Sequence, residues 1–181
     1  MQELSNDSGA SLAQVYKVLD LLQAQNYVIK NRGAIGLADP QGLLTLWATN
    51  YKFNEQKITG YYSPIKGYDQ IFSELRKLSD QKYALTLGAA AQLVLPVVRS
   101  IDVYLYAEAE NELKKTLQLE PVEFGGNVYL VTPKDDGVMK SVQIIDGVKL
   151  VSNIQLYLDL YNYPQRGREQ ADAIREKLLG V

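Results

Sequence analysis

"ELSNDSGASLAQVYKVLDLLQAQNY", residues 3–27, decides how the front of this chain folds. A short helix end around residues 4–6 is broken by Ser8-Gly9-Ala10, a tight turn of the kind that joins two helices. Ser11 is a good N-cap for the next helix, because its hydroxyl can accept from the free N–H groups of the first turn. Leu12, Val15, Leu19 and Leu22 then recur at helical spacing and form one apolar stripe on a helix that ends near Asn26. "YVIKNRGAIGLAD" follows, with two short β-like runs around a Lys30-Asn31-Arg32-Gly33 tip. Asp39-Pro40 caps a further helix, "QGLLTLWATNY". The pattern predicts a winged helix-turn-helix over residues 1–50. Its first helix is expected to be missing or very short, since too few residues precede Leu4.

In the usual docking of such a domain, the helix beginning at Ser11 enters the major groove by its N-terminal residues, and the wing lies along the backbone. Ala13, Gln14 and Lys17 lie opposite the apolar stripe, with Tyr16 at the margin. Gln14 can read an adenine edge, while Lys17, Lys30 and Arg32 can contact phosphate or guanine, with Asn31 beside them in the wing. Helix-turn-helix shapes also serve as protein-interaction modules. The first fifty residues set Lys17, Lys30 and Arg32 against Glu3, Asp7, Asp20 and Asp39, so they are not basic. Both readings stay open on the residues alone.

Residues 51–181 change character. "YKFNEQKITGYYSPIKGYDQ" reads as a polar, tyrosine-rich connector. An amphipathic helix "DQIFSELRKLSDQ", a strand "KYALTL", a short buried helix "GAAAQLVLP", a strand "SIDVYLYA" and an exposed helix "EAENELKKTLQL" follow. Three β segments come next, "NVYLVTP", "GVMKSVQII" and "VKLV", with Asp146-Gly147 a hairpin signal between the last two. Two helices close the chain. Overall this predicts an α+β protein in two domains, 1–50 and 51–181, the second a mixed sheet with two C-terminal helices.

Composition removes whole classes of chemistry. The chain has 181 residues, a formal net charge of −2, no His and no Cys. Imidazole bases, Ser/His and Cys/His nucleophiles and thiolate or imidazole metal ligands are therefore impossible. No apolar run is long enough to span a bilayer and no signal-peptide pattern opens the chain, so a cytoplasmic protein without membrane contact, cofactor or metal is expected. One stretch, "LGAAAQLVLPVVRSIDVYL", has the layout of a nucleotidyltransferase signature: a glycine turn, a helix, then a strand bearing carboxylates. Metal-assisted nucleotidyl transfer needs two carboxylates on alternate strand positions. Asp102 offers the first, but Tyr104 stands where the second belongs, and Ala89 where a serine follows the glycine. An enzyme is not expected; a degenerate relative of that fold is the alternative.

The closing stretch, "VSNIQLYLDLYNYPQRGREQADAIREKLL" (residues 151–179), sets Asp159 inside an almost unbroken apolar run. A buried carboxylate requires a partner. Arg166 and Arg168, beyond the Tyr163-Pro164 break, can supply a guanidinium fork, so a structural ion pair bracing the two helices is expected, with a binding role for the arginines as the alternative. This stretch, with "SGASLAQVYKVLDLLQAQNYV", "DPQGLLTLWATNY" and "YALTLGAAAQLVLP", resembles the AbiEi-type antitoxins of bacterial type IV toxin–antitoxin systems. The similarity spans nearly the whole chain, and the terminal S-x-I-Q-L-Y-L-D-L…P-x-R-G pattern is its most specific part. The resemblance implies an N-terminal winged helix that binds operator DNA upstream of its own operon and represses it. It also implies a C-terminal domain acting against a partner nucleotidyltransferase toxin, typically without a stable complex.

Overall fold

The structure, a computed structural model, describes residues 1–31, 34–98, 100–107 and 110–181. It divides into two compact units, Met1–Asn50 and Tyr51–Gly180. In the first, α1 (Gln2–Ser8) and α2 (Leu12–Ala24) are joined through Gly9, whose φ of 70° is the left-handed conformation that a residue without Cβ adopts freely. Ser11 and Gln14 form a reciprocal cap at the start of α2. β1 (Val28–Asn31) pairs antiparallel with β2 (Ala34–Leu37), and α3 (Pro40–Asn50) follows, its first turn held by the Asp39 carboxylate accepting from Gly42 N at 2.8 Å. One core cluster of this unit gathers Val15, Leu19 and Val28, with Met1, Ala10, Leu22 and Ile35 partly buried against them, and Leu44 and Ala48 of α3 are buried as well. Leu12, the first residue of the expected stripe, stays outside at 39% exposure. A cleft of about 920 Å³ opens beside the core, lined by Leu19, Leu22, Val28 and Ile35 among others. Trp47, the sole tryptophan, stands half exposed on α3.

The second unit opens with a 3₁₀ turn, Phe53–Glu55, and then alternates strands with short helices. These are β3 (Lys57–Tyr62), α4 (Tyr68–Arg76), β4 (Tyr83–Thr86), α5 (Leu87–Val94), β5 (Val103–Ala107), α6 (Asn111–Thr116), β6 (Glu120–Pro121), β7 (Val128–Thr132), α7 (Gly137–Lys140), β8 (Gln143–Ile145), β9 (Val148–Leu150), α8 (Asn153–Tyr161) and α9 (Gly167–Ile174), which runs on into a π turn at Arg175–Leu179. The strands form one seven-stranded mixed sheet in the order β6-β3-β7-β5-β4-β9-β8. β5/β7 and β4/β9 are parallel and the other pairs antiparallel. The fold is thus mixed α+β.

Strand register sorts side chains between two faces. Tyr83, Leu85, Leu105, Leu130 and Leu150 share one face, where the Tyr83 hydroxyl donates to Leu75 O of α4 at 3.0 Å. Thr86, Tyr104, Tyr106 and Tyr129 share the other, under α8. Leu75, Leu85, Leu105, Leu113, Leu117, Leu130 and Leu150 are all buried to 1% exposure or less, so the helix-to-sheet layer carries most of the apolar burial.

Two expectations about local structure need correction. The segment expected to be a connector contains β3, an interior strand between β6 and β7, because its partners lie about sixty and seventy residues ahead and no local pattern announces them. "GVMKSVQII" is not β throughout. The Asp135 carboxylate accepts from Gly137 N at 2.8 Å, turning the chain into the one-turn helix α7 before β8 begins. At Asp146-Gly147 both φ values are positive, 49° and 77°, and Ile145 faces Val148 across a two-residue hairpin.

Gly167, at the start of α9, is required for space. Gln165 and Arg166 before it carry the positive φ values, 60° and 65°, while a Cβ on Gly167 would lie 2.5 Å from Leu160 O and 2.9 Å from the Tyr163 Cβ. The R-G of the closing motif is therefore a close-packing site between α8 and α9. Gly167→Ala is expected to lower the stability of the second unit by about 1–3 kcal/mol, read as a denaturant midpoint with unchanged slope. An unaltered midpoint would show that the α8–α9 joint absorbs the methyl group.

Candidate functional site

Of the residues expected to meet DNA, Ser11 caps α2, Gln14, Tyr16 and Lys17 lie on it, and Lys30 and Asn31 lie on β1, with unequal freedom. Lys17 is exposed and Tyr16 is half exposed. Ser11 and Gln14 are engaged with each other: Ser11 N donates to Gln14 Oε1 at 2.9 Å, and Gln14 N donates to Ser11 Oγ at 3.3 Å. The Gln14 oxygen therefore serves the helix cap, and its amide N–H groups are what it has left to offer. Lys30 turns back to an ion pair with Asp20 of α2, while Asn31 ends β1 exposed to solvent. Arg32 lies outside the described residues. Val18 and Leu21, which no reading of the sequence singled out, are 53% and 58% exposed and line a shallow apolar hollow with Gln14 and Lys17.

In the second unit the expected brace between Asp159 and the two arginines is replaced by a different arrangement. Asp159 has no solvent exposure. Its Oδ2 accepts from Thr86 Oγ1 at 2.5 Å, and its Oδ1 accepts from Tyr51 Oη at 2.7 Å, Gln155 Nε2 at 2.8 Å and Tyr106 Oη at 3.1 Å. Arg166 instead binds Glu169 of its own helix, and Arg168 pairs with Asp172 and lies 3.6 Å over the Tyr161 ring. The reason is geometric. Asp159 faces inward to the sheet, where hydroxyls of β4 and β5 stand, whereas the arginines keep their heads in water. Tyr51, Thr86, Tyr106 and Gln155 were not legible as a group from sequence; the one signal was Thr86, a polar residue in an otherwise apolar strand.

Burial pushes the Asp159 carboxyl up to about 6, against the opposing pull of its four hydrogen bonds. Burial and the neighbouring carboxylate hold the Tyr51 and Tyr106 phenols far above their ordinary range, so both remain donors at any physiological pH. Since the folded value exceeds the ordinary 3.8, the native state binds this proton more tightly than the unfolded chain does. The stability it confers is present below about pH 4 and is lost as pH rises through about 6. Asp159→Asn removes that loss, because an amide stays neutral and the hydroxyls can rotate to accept from it. Between pH 4 and pH 7.5 the stability of the variant relative to wild type is expected to improve by on the order of 2–3 kcal/mol. Parallel stability profiles for the two proteins would contradict a titrating Asp159.

The nucleotidyltransferase-like stretch, residues 87–105, spans α5 and the first part of β5, and its geometry suits packing. The Tyr104 ring stacks on Tyr129 at 4.5 Å between centroids, and Tyr163 and Tyr104 hydroxyls lie 3.2 Å apart. The place of a second carboxylate is thus filled by a phenol locked among aromatic rings. Beside Gly88, a Cβ would lie 2.4 Å from the Ser100 Cβ, so the glycine turn is closed by a side chain. Asp102 remains at the head of β5, its carboxyl raised by burial.

A protein-family model described as "Transcriptional regulator, AbiEi antitoxin, Type IV TA system" matches residues 36–180. The chain belongs to this family of type IV toxin–antitoxin regulators. The match takes in the end of β2, α3 and the whole second unit; residues 1–35 precede it. No curated protein and no solved structure gives a significant match. Among the described residues, no helix is long and apolar enough to cross a membrane.

Proposed function

We propose that this protein is the antitoxin of a type IV pair and the DNA-binding autorepressor of its own operon, with residues 1–50 as a winged helix-turn-helix and residues 51–181 as the antitoxin domain. Membership of a family of transcriptional regulators and antitoxins carries the reading. The order of α1, a tight turn, α2 and a two-stranded hairpin supports its DNA-binding half. In this reading α2 enters the major groove, and Tyr16 and Lys17 meet base edges there. Gln14, with its oxygen held in the cap, donates to a base acceptor and does not bind adenine bidentately. Asn31 and Arg32 touch the backbone through the wing, and Lys30 joins them only by leaving Asp20. The second unit acts in the cytoplasm against a nucleotidyltransferase toxin, without a stable complex, a cofactor or catalysis of its own.

The test is fluorescence anisotropy with DNA from immediately upstream of the gene against scrambled DNA, across a salt series. Preference for the native sequence is expected, and Lys17→Ala should cost about 1–3 kcal/mol and relax that preference. A second reading is favoured by one observation. Val18 and Leu21 place an exposed apolar strip beside Gln14 and Lys17, which suits a protein partner better than a groove floor. Equal affinity for native and scrambled DNA would discard the repressor reading in favour of that one.

A further inference from the structure

A cleft of about 460 Å³ opens in the second unit between the start of β4, the single turn of α7 and β9. Three elements each bring an ammonium group to it: Lys82 just ahead of β4, Lys140 at the end of α7 and Lys149 on β9. One carboxylate, Asp136, faces them, and the remaining wall is Tyr83, Met139 and Val142. Lys149 is fixed in place. Its Nζ donates to Ser79 O at 2.5 Å and to Gln81 O at 2.8 Å, and it stands 5.8 Å from the centroid of the Tyr83 ring. That ring is itself held, buried to 1% exposure with its hydroxyl donating to Leu75 O at 3.0 Å. An ammonium has three N–H donors, so Lys149 keeps one beyond these two bonds. Among the described residues no carboxylate pairs with it; carbonyl dipoles and a ring face balance its charge.

The charge of the cleft selects a class of ligand. Three lysines against one aspartate leave an excess of two positive charges. A carboxylate ligand would neutralise one of them and present two oxygens. A phosphate monoester carries about −1.5 to −2 at neutral pH and presents three terminal oxygens, as many as there are ammonium groups. Lysine suits that role as a compact point charge with rotatable donors. A polyanion fits less well. Asp136 lies in the wall, and Asp80 and Asp135 flank the lysines along the chain, so a run of consecutive phosphates would meet carboxylates on leaving the cleft. The volume also exceeds that of a phosphate ion alone and leaves room beside Met139 and Val142 for a small apolar body.

We propose that this cleft binds the phosphate group of a small phosphomonoester, with Lys82, Lys140 and Lys149 on the phosphate and Met139 and Val142 against the rest of the molecule. The site lies wholly within the second unit and does not rest on the DNA-binding reading above. A ligand there bridges α7 to β4 and β9, and so gives the second unit a small-molecule input that stabilises it.

The experiment is calorimetric titration of the full chain with phenyl phosphate and with inorganic phosphate, at an ionic strength held constant with sodium chloride. Wild type is compared with Lys82→Ala/Lys140→Ala and with Lys66→Ala/Lys115→Ala, which removes two exposed charges elsewhere. Saturable binding at one site is expected, tighter for phenyl phosphate than for inorganic phosphate. Lys82→Ala/Lys140→Ala should weaken it by about tenfold or more, and Lys66→Ala/Lys115→Ala should bind as wild type does. Amide spectra of wild type supply a readout that needs no variant: phenyl phosphate should shift Met139, Lys140 and Lys149. Absence of saturable binding, equal loss in the two double variants, or shifts confined to other residues would overturn the proposal. A short DNA duplex that moved the same amides at lower concentration than phenyl phosphate would overturn it too, since the lysines would then serve a nucleic-acid backbone.

Discussion

Asp159 is fully buried and its carboxylate accepts from four neutral donors, so the second unit is arranged around supplying those dipoles. The donors come from four places: the residue where the chain enters this unit (Tyr51), the end of β4 (Thr86), the last part of β5 (Tyr106) and the preceding turn of α8 itself (Gln155). This one side chain thereby fixes the seating of α8 on the sheet. It also explains a detail at α5. Thr86 occupies the N-cap position of that helix, yet its side chain caps nothing, since the hydroxyl is given to Asp159. The next residue, Leu87, takes a φ of 52°, unusual for a side chain of its size, and its buried position holds it there.

The same face of the sheet carries aromatic rings where the sequence pattern of a nucleotidyltransferase would call for a second carboxylate. Phe53, Tyr104, Tyr129 and Tyr163 fill the region next to Asp102 with edge-to-face and stacked rings. Rings in these arrangements stabilise one another beyond their buried area, so the tyrosines contribute to packing where carboxylates would have bound metal.

How much of this was legible beforehand follows from how local each signal is. The α1–turn–α2 pattern, the Ser11 cap and the Asp146-Gly147 hairpin rest on neighbouring residues, and each could be read directly. The capping box was legible as well, in the S-x-x-Q spacing of Ser11 and Gln14, and it changes what Gln14 can recognise. β3 was not legible, since "KITGYY" becomes a strand only by pairing with β7 and β6. Asp159 shows the limit most clearly. Sequence established that a carboxylate in that run needed partners, and nearness in the chain pointed to Arg166 and Arg168. Three of the four donors instead lie 108, 73 and 53 residues away, distances over which periodicity carries no information.

Trp47 gives the molecule a further property, an optical one. The only indole belongs to Met1–Asn50, whereas eleven of the thirteen tyrosines, Tyr16 and Tyr27 being the exceptions, belong to Tyr51–Gly180. Emission excited at the red edge, where phenols do not absorb, therefore comes from the first unit alone. The near-ultraviolet circular dichroism of the packed rings around Tyr104 and Tyr106 comes from the second. Each half of this chain carries its own chromophore, so the cooperativity between them can be followed without attaching a label to either.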